Sequence, residues 1–327
     1  MKKKLIILLD ALISIALIFF ILSFVGLEDV LDSLLNINLF FLFLSILFLL
    51  LMYCVMIFRI KILLDELKVK TSIINIVKSH FLGMLLADFT PARTGYFATA
   101  ANLHYTYKLP SEKSLISILG PAIFDFSFKV TAGIIAIFLL LYNFVNTDQL
   151  ILFLGVIVMV FMIFIMILTV FSKRFLKIFS FSKAFPFIGG IYLMIERMQA
   201  NSNVIIKKTP HLLVLLIFSW TFKSVSWYLI AKSLGITLNI WFPEIFFYFF
   251  LQPLLTMLEF LPSPTIAGLG LSEAGAVLIF SLYGVPAALG TSFALVARLK
   301  TILVNIFGIS ELIKLLRTIS FDQLLKN

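Results

Sequence analysis

Runs of about 20 apolar residues recur from one end of this chain to the other, and they constrain its fold more than any other feature. A helix of that length covers about 30 Å, the thickness of a bilayer's hydrocarbon core. In hydrocarbon each backbone N–H and C=O must find its partner within the segment, so such runs fold as helices. Long spans are expected at about 5–25, 39–58, 114–142, 150–171, 211–234 and 287–313. The first follows Lys2-Lys3-Lys4 and is too long for the core of a signal peptide, so it reads as an uncleaved span. Hydrophobic residues make up 62% of the chain and charged residues 13%, against roughly 45–50% and about 25% in soluble domains. A water-soluble enzyme, a disordered protein and a nucleic-acid binder are thereby excluded as first readings, despite the net charge of +10.

Two regions break the pattern. Residues 72–110 are moderately apolar and hold Lys78, Asp88, Pro91, Arg93 and Gly95. Residues 243–285 are interrupted by Pro253, Glu259, Pro262, Pro264, Gly268, Gly270 and Glu273. Each has room for a pair of helices with a broken middle, so that the chain returns to the side it left. The expected fold is an all-α polytopic integral membrane protein. It forms a single membrane domain over 1–327 with about eight membrane helices: six long spans plus two broken or re-entrant hairpins.

The charges orient this arrangement. Of the 26 basic residues, 18 fall in the N-terminal segment, in 59–78, in 173–210 and in the C-terminal tail. The intervening loops 26–38, 143–149 and 235–242 contain no Lys or Arg. Cytoplasmic loops carry such an excess, so both termini are expected in the cytoplasm of a multi-pass protein of the cell membrane. The cytoplasmic loop 173–210 holds Gly189-Gly190 and an apolar-rich stretch through Met198, readable as a surface helix whose basic residues meet anionic headgroups or as a plain loop.

Splitting the chain near residue 148 places two spans, a broken hairpin and a span in each half, 1–148 and 149–327. Each half crosses an odd number of times, so the second is inverted relative to the first. Asp88-Phe89-Thr90-Pro91 and Glu259-Phe260-Leu261-Pro262 echo each other at corresponding places. Transporters build midplane binding sites from interrupted helices in inverted repeats of this kind.

The charges inside membrane segments mark where chemistry is to be sought, because each costs about 2.5–3.5 kcal/mol at the bilayer centre. They are Asp88, Arg93, Asp125, Lys129, Lys223, Glu259, Glu273, Arg298 and Lys300. Asp125 and Lys129 share a helix face, as a structural pair or with Lys129 turned to a phosphate. Arg298 and Lys300 point to different faces, and Arg298 is the one expected toward a cavity. Lys223 needs an acid from another helix, with Glu259 or Glu273 as candidates. Gly95, Gly268 and Gly270 either leave helix N-termini open to an anion or only permit close packing. No catalytic motif, metal cluster or cofactor signature is present. Cys54 is the one cysteine, and the histidines lack ligand spacing.

Pro91-Ala92-Arg93-Thr94-Gly95, Leu261-Pro262-Ser263-Pro264, Gly268-Leu269-Gly270 with Glu273, Tyr283-Gly284-Val285-Pro286 and the later Arg298 resemble the flippase-like transmembrane family. That family includes the membrane half of bacterial lysylphosphatidylglycerol synthases. Pro121-Ala122 stand where the family often has Glu-Arg. The resemblance implies a non-catalytic membrane protein that moves or holds an anionic phospholipid or a polyprenyl-phosphate lipid. Arg93, Arg298 and Lys129 would hold the phosphate, and Asp88, Glu259 and Glu273 would orient them. Membrane lipids are the expected partners, with a separate lipid-modifying enzyme as another, and no nucleic acid. The alternatives are a transporter of a soluble anion, a partner of a lipid-modifying enzyme, and a membrane glycosyltransferase using Glu28, Asp29 and Asp32.

Overall fold

A computed structural model describes residues 25–144, 172–184, 202–260 and 268–324, with scattered positions within 16–23 and 157–200. Among the described residues the chain is built of helices and has no strand. In order they are α1 (Leu27–Leu35), α2 (Leu39–Glu66), α3 (Ile73–Ala87), a 3-10 segment Pro91–Phe97, α4 (Ala98–Tyr105), α5 (Ser111–Phe144), α6 (Lys173–Ile178), α7 (Ser202–Ser233), α8 (Glu244–Phe260), α9 (Leu271–Leu282), α10 (Ala287–Asn305), a 3-10 turn Ile306–Gly308, and α11 (Ile309–Leu324).

Helices α2 and α7 form an antiparallel pair at the centre. The Asn38 side chain starts α2 by accepting from the N–H groups of Phe40 and Phe41. The Asn38 N–H donates to the Ser233 carbonyl at 2.8 Å, tying the start of α2 to the end of α7. Midway, Ser226 Oγ donates to the Ser45 carbonyl at 2.7 Å. At the far end Glu66 pairs with Lys207 and Lys208. These three ties fix an Asn38 end and a Glu66 end of the molecule. The outer surfaces carry Phe40, Phe43 and Phe58 on α2 and Val214, Ile217 and Phe218 on α7, all exposed. Water would disfavour such a surface, whereas lipid would not.

The first broken hairpin leaves from the Glu66 end. Lys61 Nζ donates to the Thr71 carbonyl at 3.4 Å as the hairpin begins, and Lys113 Nζ to the Leu67 carbonyl at 3.0 Å after it returns. The second leaves from the Asn38 end. Glu244, at the start of α8, accepts from the Leu238 N–H at 2.8 Å and pairs with Lys232 at 2.7 Å. The second hairpin comes back with Tyr283 against Phe247, ring centroids 4.9 Å apart. Helix α3 has 15 residues and α9 has 12. At about 1.5 Å per residue they reach only about 22 and 18 Å, short of a bilayer core. The two hairpins therefore enter from opposite ends and bring their interruptions together in the interior.

Among the described residues four helices are long and apolar enough to cross a membrane: Leu39–Glu66, Ser111–Ile137, Asn203–Ser233 and Ala287–Ile319. The expected spans at 5–25 and 150–171 lie largely outside the described residues, as does half of the stretch from Gly189 to Met198. One boundary is corrected. The second span was expected to end at 58, with Arg59 in a cytoplasmic loop, but α2 continues to Glu66. Arg59 is therefore inside the helix, 1% exposed. Its guanidinium is held in the interior by a carboxylate on α5, so the apolar run ends before the helix does.

Candidate functional site

The site lies where the hairpin interruptions face α2, α5, α7 and α10. Asp88 ends α3, and Pro91 opens the 3-10 segment because it cannot continue a hydrogen-bonded helix. Thr90 stitches the break: its hydroxyl donates to the Leu86 carbonyl at 2.9 Å and accepts the Gly95 N–H at 2.6 Å. Position 95 must be glycine, since a Cβ there would collide with the Leu86 backbone. Arg93 adopts a left-handed backbone conformation, φ 54°, uncommon for a residue with a side chain. Its Nη2 stands 3.2 Å from Asp88 Oδ1. The other oxygen of Asp88 accepts from Asn305 Nδ2 at 2.6 Å, and Asn305 Oδ1 accepts from Tyr53 Oη at 2.9 Å. One hydrogen-bonded chain thus joins α2, the end of α10 and the first hairpin.

The second interruption has its own arrangement. Gly268 and Gly270 take φ of 70° and 89°, values that a glycine adopts without strain. Glu273, in the first turn of α9, reaches back to the Gly270 N–H at 2.7 Å. A carboxylate there satisfies an orphan donor and the helix dipole together. The same carboxylate accepts from Arg298 Nε at 2.6 Å and from the Ser272 hydroxyl at 3.0 Å. Arg298 Nη2 donates to that hydroxyl at 2.8 Å. Glu273 is buried and fully engaged. The side chain of Glu259 and residues 261–267, with Pro262 and Pro264, lie outside the described residues.

Two neighbouring spaces open between these parts. A narrow polar pocket of about 60 Å³ is walled by Asp88, Arg93, Lys223, Ser272, Glu273 and Arg298, with Trp227 beside them. A larger cavity of about 320 Å³ shares Arg93, Lys223 and Trp227 with it. Most of that cavity's wall is apolar, from Met52, Met56, Met84, Ile118, Leu119 and Phe126. Asp125 and Lys129 reach it from α5, and Trp220 from α7. The Lys129 ammonium stands 5.8 Å from the Trp220 ring centre and that of Lys223 5.7 Å from Trp227, within range of attraction to an aromatic face. Four cations line the two spaces, Arg93, Lys129, Lys223 and Arg298, against the carboxylates Asp88, Asp125 and Glu273.

Several expected pairings are replaced. Asp125 pairs with Arg59 Nη1 at 2.8 Å rather than with Lys129 one turn along. Arg59 Nη2 also donates to the Pro121 carbonyl at 2.9 Å, so α2 delivers a guanidinium beside the Pro121-Ala122 step. Glu273 serves Arg298 and not Lys223. The N–H groups of Gly95 and Gly270, read from the sequence as open to an anion, are taken by Thr90 and Glu273. Arg59, Tyr53 and Asn305 were missed in the sequence reading. Arg59 sits just past an apolar run, and nothing in the spacing of Tyr53 and Asn305, 252 positions apart, marks them as partners.

The sequence pattern of the family described as Lysylphosphatidylglycerol synthase TM region matches residues 7–308. The chain belongs to that family. Its family and its long apolar helices make it a multi-pass membrane protein, and the family points to lipid metabolism or transport. No curated protein matches the chain, and no solved structure does.

Proposed function

We propose that the chain is a translocase for a lipid with an anionic phosphate headgroup, a phospholipid or a polyprenyl phosphate, in the cell membrane. The observation that carries this reading is a cation-lined polar pocket lying beside a wide apolar cavity, with Arg93, Lys223 and Trp227 in the walls of both. A soluble anion needs only the first. A molecule with a charged head and a hydrocarbon tail uses both, because the cations offset the phosphate and the apolar wall accepts chain. The two hairpins, entering from opposite ends, support the inverted arrangement of halves in which alternating access operates around a central site. In this reading the protein carries out no covalent chemistry, and both termini lie in the cytoplasm, at the Glu66 end with its lysines.

The test is transbilayer movement of fluorescent phosphatidylglycerol in proteoliposomes, read by dithionite quenching. Wild type should raise the rate well above that of empty vesicles. Lys129→Met and Lys223→Met together should bring it most of the way back. An unchanged rate in that double variant overturns the site. Phosphate uptake into sealed vesicles without lipid movement would favour the soluble-anion transporter.

A further inference from the structure

Of the buried side-chain polar atoms that find no partner among the described residues, one belongs to a residue in the walls of the two spaces: Gln252 Oε1. Gln252 lies on α8 and is 4% exposed. With Thr256, one turn further along, it forms part of the wall of the larger cavity. Helix α7 brings Ser219 and Trp220 to the same wall, and α5 brings Lys129. The rest of that wall is mostly apolar, and a leucine or methionine at 252 would complete it by packing alone.

The hydrogen bonds around Thr256 decide which end of the amide is unpaired. Thr256 Oγ1 stands 2.8 Å from the backbone carbonyl of Gln252. A carbonyl only accepts, so the hydroxyl spends its single proton there. Gln252 Nε2 stands 2.6 Å from the same Oγ1. That oxygen can now only accept, so the amide turns its nitrogen toward Thr256 and its oxygen away. No donor among the described residues reaches the oxygen. A buried acceptor without a donor is unfavourable, and folded proteins retain few of them. An occupant of the cavity that Gln252 borders can supply the missing proton.

We propose that Gln252 is a specificity-determining residue for the lipid headgroup, with Oε1 accepting a hydrogen bond from a hydroxyl that the headgroup carries beyond its phosphate. The cavity then takes a phosphodiester lipid with a hydroxylated headgroup in preference to a polyprenyl phosphate or a phosphodiester without a hydroxyl. A hydroxyl supplies the proton without adding positive charge to a wall that already holds Lys129 and Lys223. This rests on the cavity being a site for a phosphate-bearing lipid and adds which headgroup it selects.

The experiment is calorimetric titration of the detergent-purified protein with two short-chain lipids, dihexanoyl phosphatidylglycerol and dihexanoyl phosphatidylmethanol. Both carry one phosphodiester charge, and the first alone has headgroup hydroxyls. Wild type should bind phosphatidylglycerol about three- to tenfold more tightly, the yield of one net hydrogen bond. Gln252→Met keeps the length of the side chain and removes the acceptor. It should bind the two lipids alike, by losing affinity for phosphatidylglycerol with phosphatidylmethanol little changed. Gln252→Leu should do the same and serves if the Met variant folds poorly. Equal affinities in wild type overturn the proposal and leave the phosphate site standing, which is the result if water in the cavity supplies the proton. A preference that persists in the variants also overturns it, since another group then reads the hydroxyl. An absence of wild-type binding to either lipid overturns the phosphate site and the proposal together.

Discussion

Replacing Arg59 by Met should be among the most damaging single changes in the interior, and the geometry sets its size. The guanidinium stands 2.8 Å from Asp125 Oδ1 and 2.9 Å from the Pro121 carbonyl. At an effective dielectric constant of about 20 the direct attraction is about 6 kcal/mol, and much of that repays desolvation. Removing one partner of a buried pair costs about 3–5 kcal/mol because the other charge is stranded. Asp125 is 21% exposed to the cavity, so water relieves part of the penalty and about 3 kcal/mol is expected. A chain of this size then melts roughly 4 °C lower. The companion variant Arg59→Met/Asp125→Leu removes both charges and should recover most of the loss. Scanning fluorimetry in one detergent, over wild type, both singles and the double, yields the coupling energy. The reasoning fails if Arg59→Met melts within about 1 °C of wild type, or if the double variant melts no higher than that single.

Arg298→Ala should cost about 3–5 kcal/mol by stranding the Glu273 carboxylate, with much of the loss returned by adding Glu273→Gln; thermal melting of the pair checks it. For the same reason Arg298→Ala does not test transport cleanly, and the lysine variants above are preferred. Gly95→Val should drive side chain into the Leu86 backbone, costing about 1–3 kcal/mol or more and abolishing the monodisperse peak in size-exclusion chromatography. The chain's tryptophans are Trp220, Trp227 and Trp241, and only Trp220 lines the larger cavity without also bordering the polar pocket. With Trp227→Phe and Trp241→Phe, phosphatidylglycerol with brominated chains should quench Trp220 saturably at low lipid excess. Quenching that never saturates would place the hydrocarbon chain outside the cavity.

The long helices were readable because length and hydropathy together leave few alternatives, and α2, α5, α7 and α10 lie over four of the expected spans. The hairpin interruptions were readable because Pro91 and the glycines at 268 and 270 remove the means to continue a helix. Partner choice across helices was not. It depends on how each helix is rotated about its axis, and a segment such as α2, apolar on every side, carries no stripe to reveal that rotation. Arg59 was assigned to a loop because the apolar run ends before the helix does, Asp125 was given the lysine on its own helix, and the chain from Tyr53 through Asn305 to Asp88 left no trace in spacing. Two backbone N–H groups were left to a ligand because a capping side chain, Thr90 or Glu273, is indistinguishable in sequence from a polar residue aimed at one.

Helix α10 is bonded to both interruptions: through Arg298 to Glu273 of the second hairpin, and through Asn305 to Asp88 and so to Arg93 of the first. These ties stand seven residues apart on one rigid rod, about 10 Å at 1.5 Å per residue. Mechanically the two half-sites share an axle. A slide or roll of α10 displaces both arginines in one stroke, and neither hairpin can swing away alone without first tearing a buried hydrogen bond. In the proposed translocation, access from the two ends of the molecule is then not governed by two independent doors, and a state with both open is disfavoured by the linkage itself.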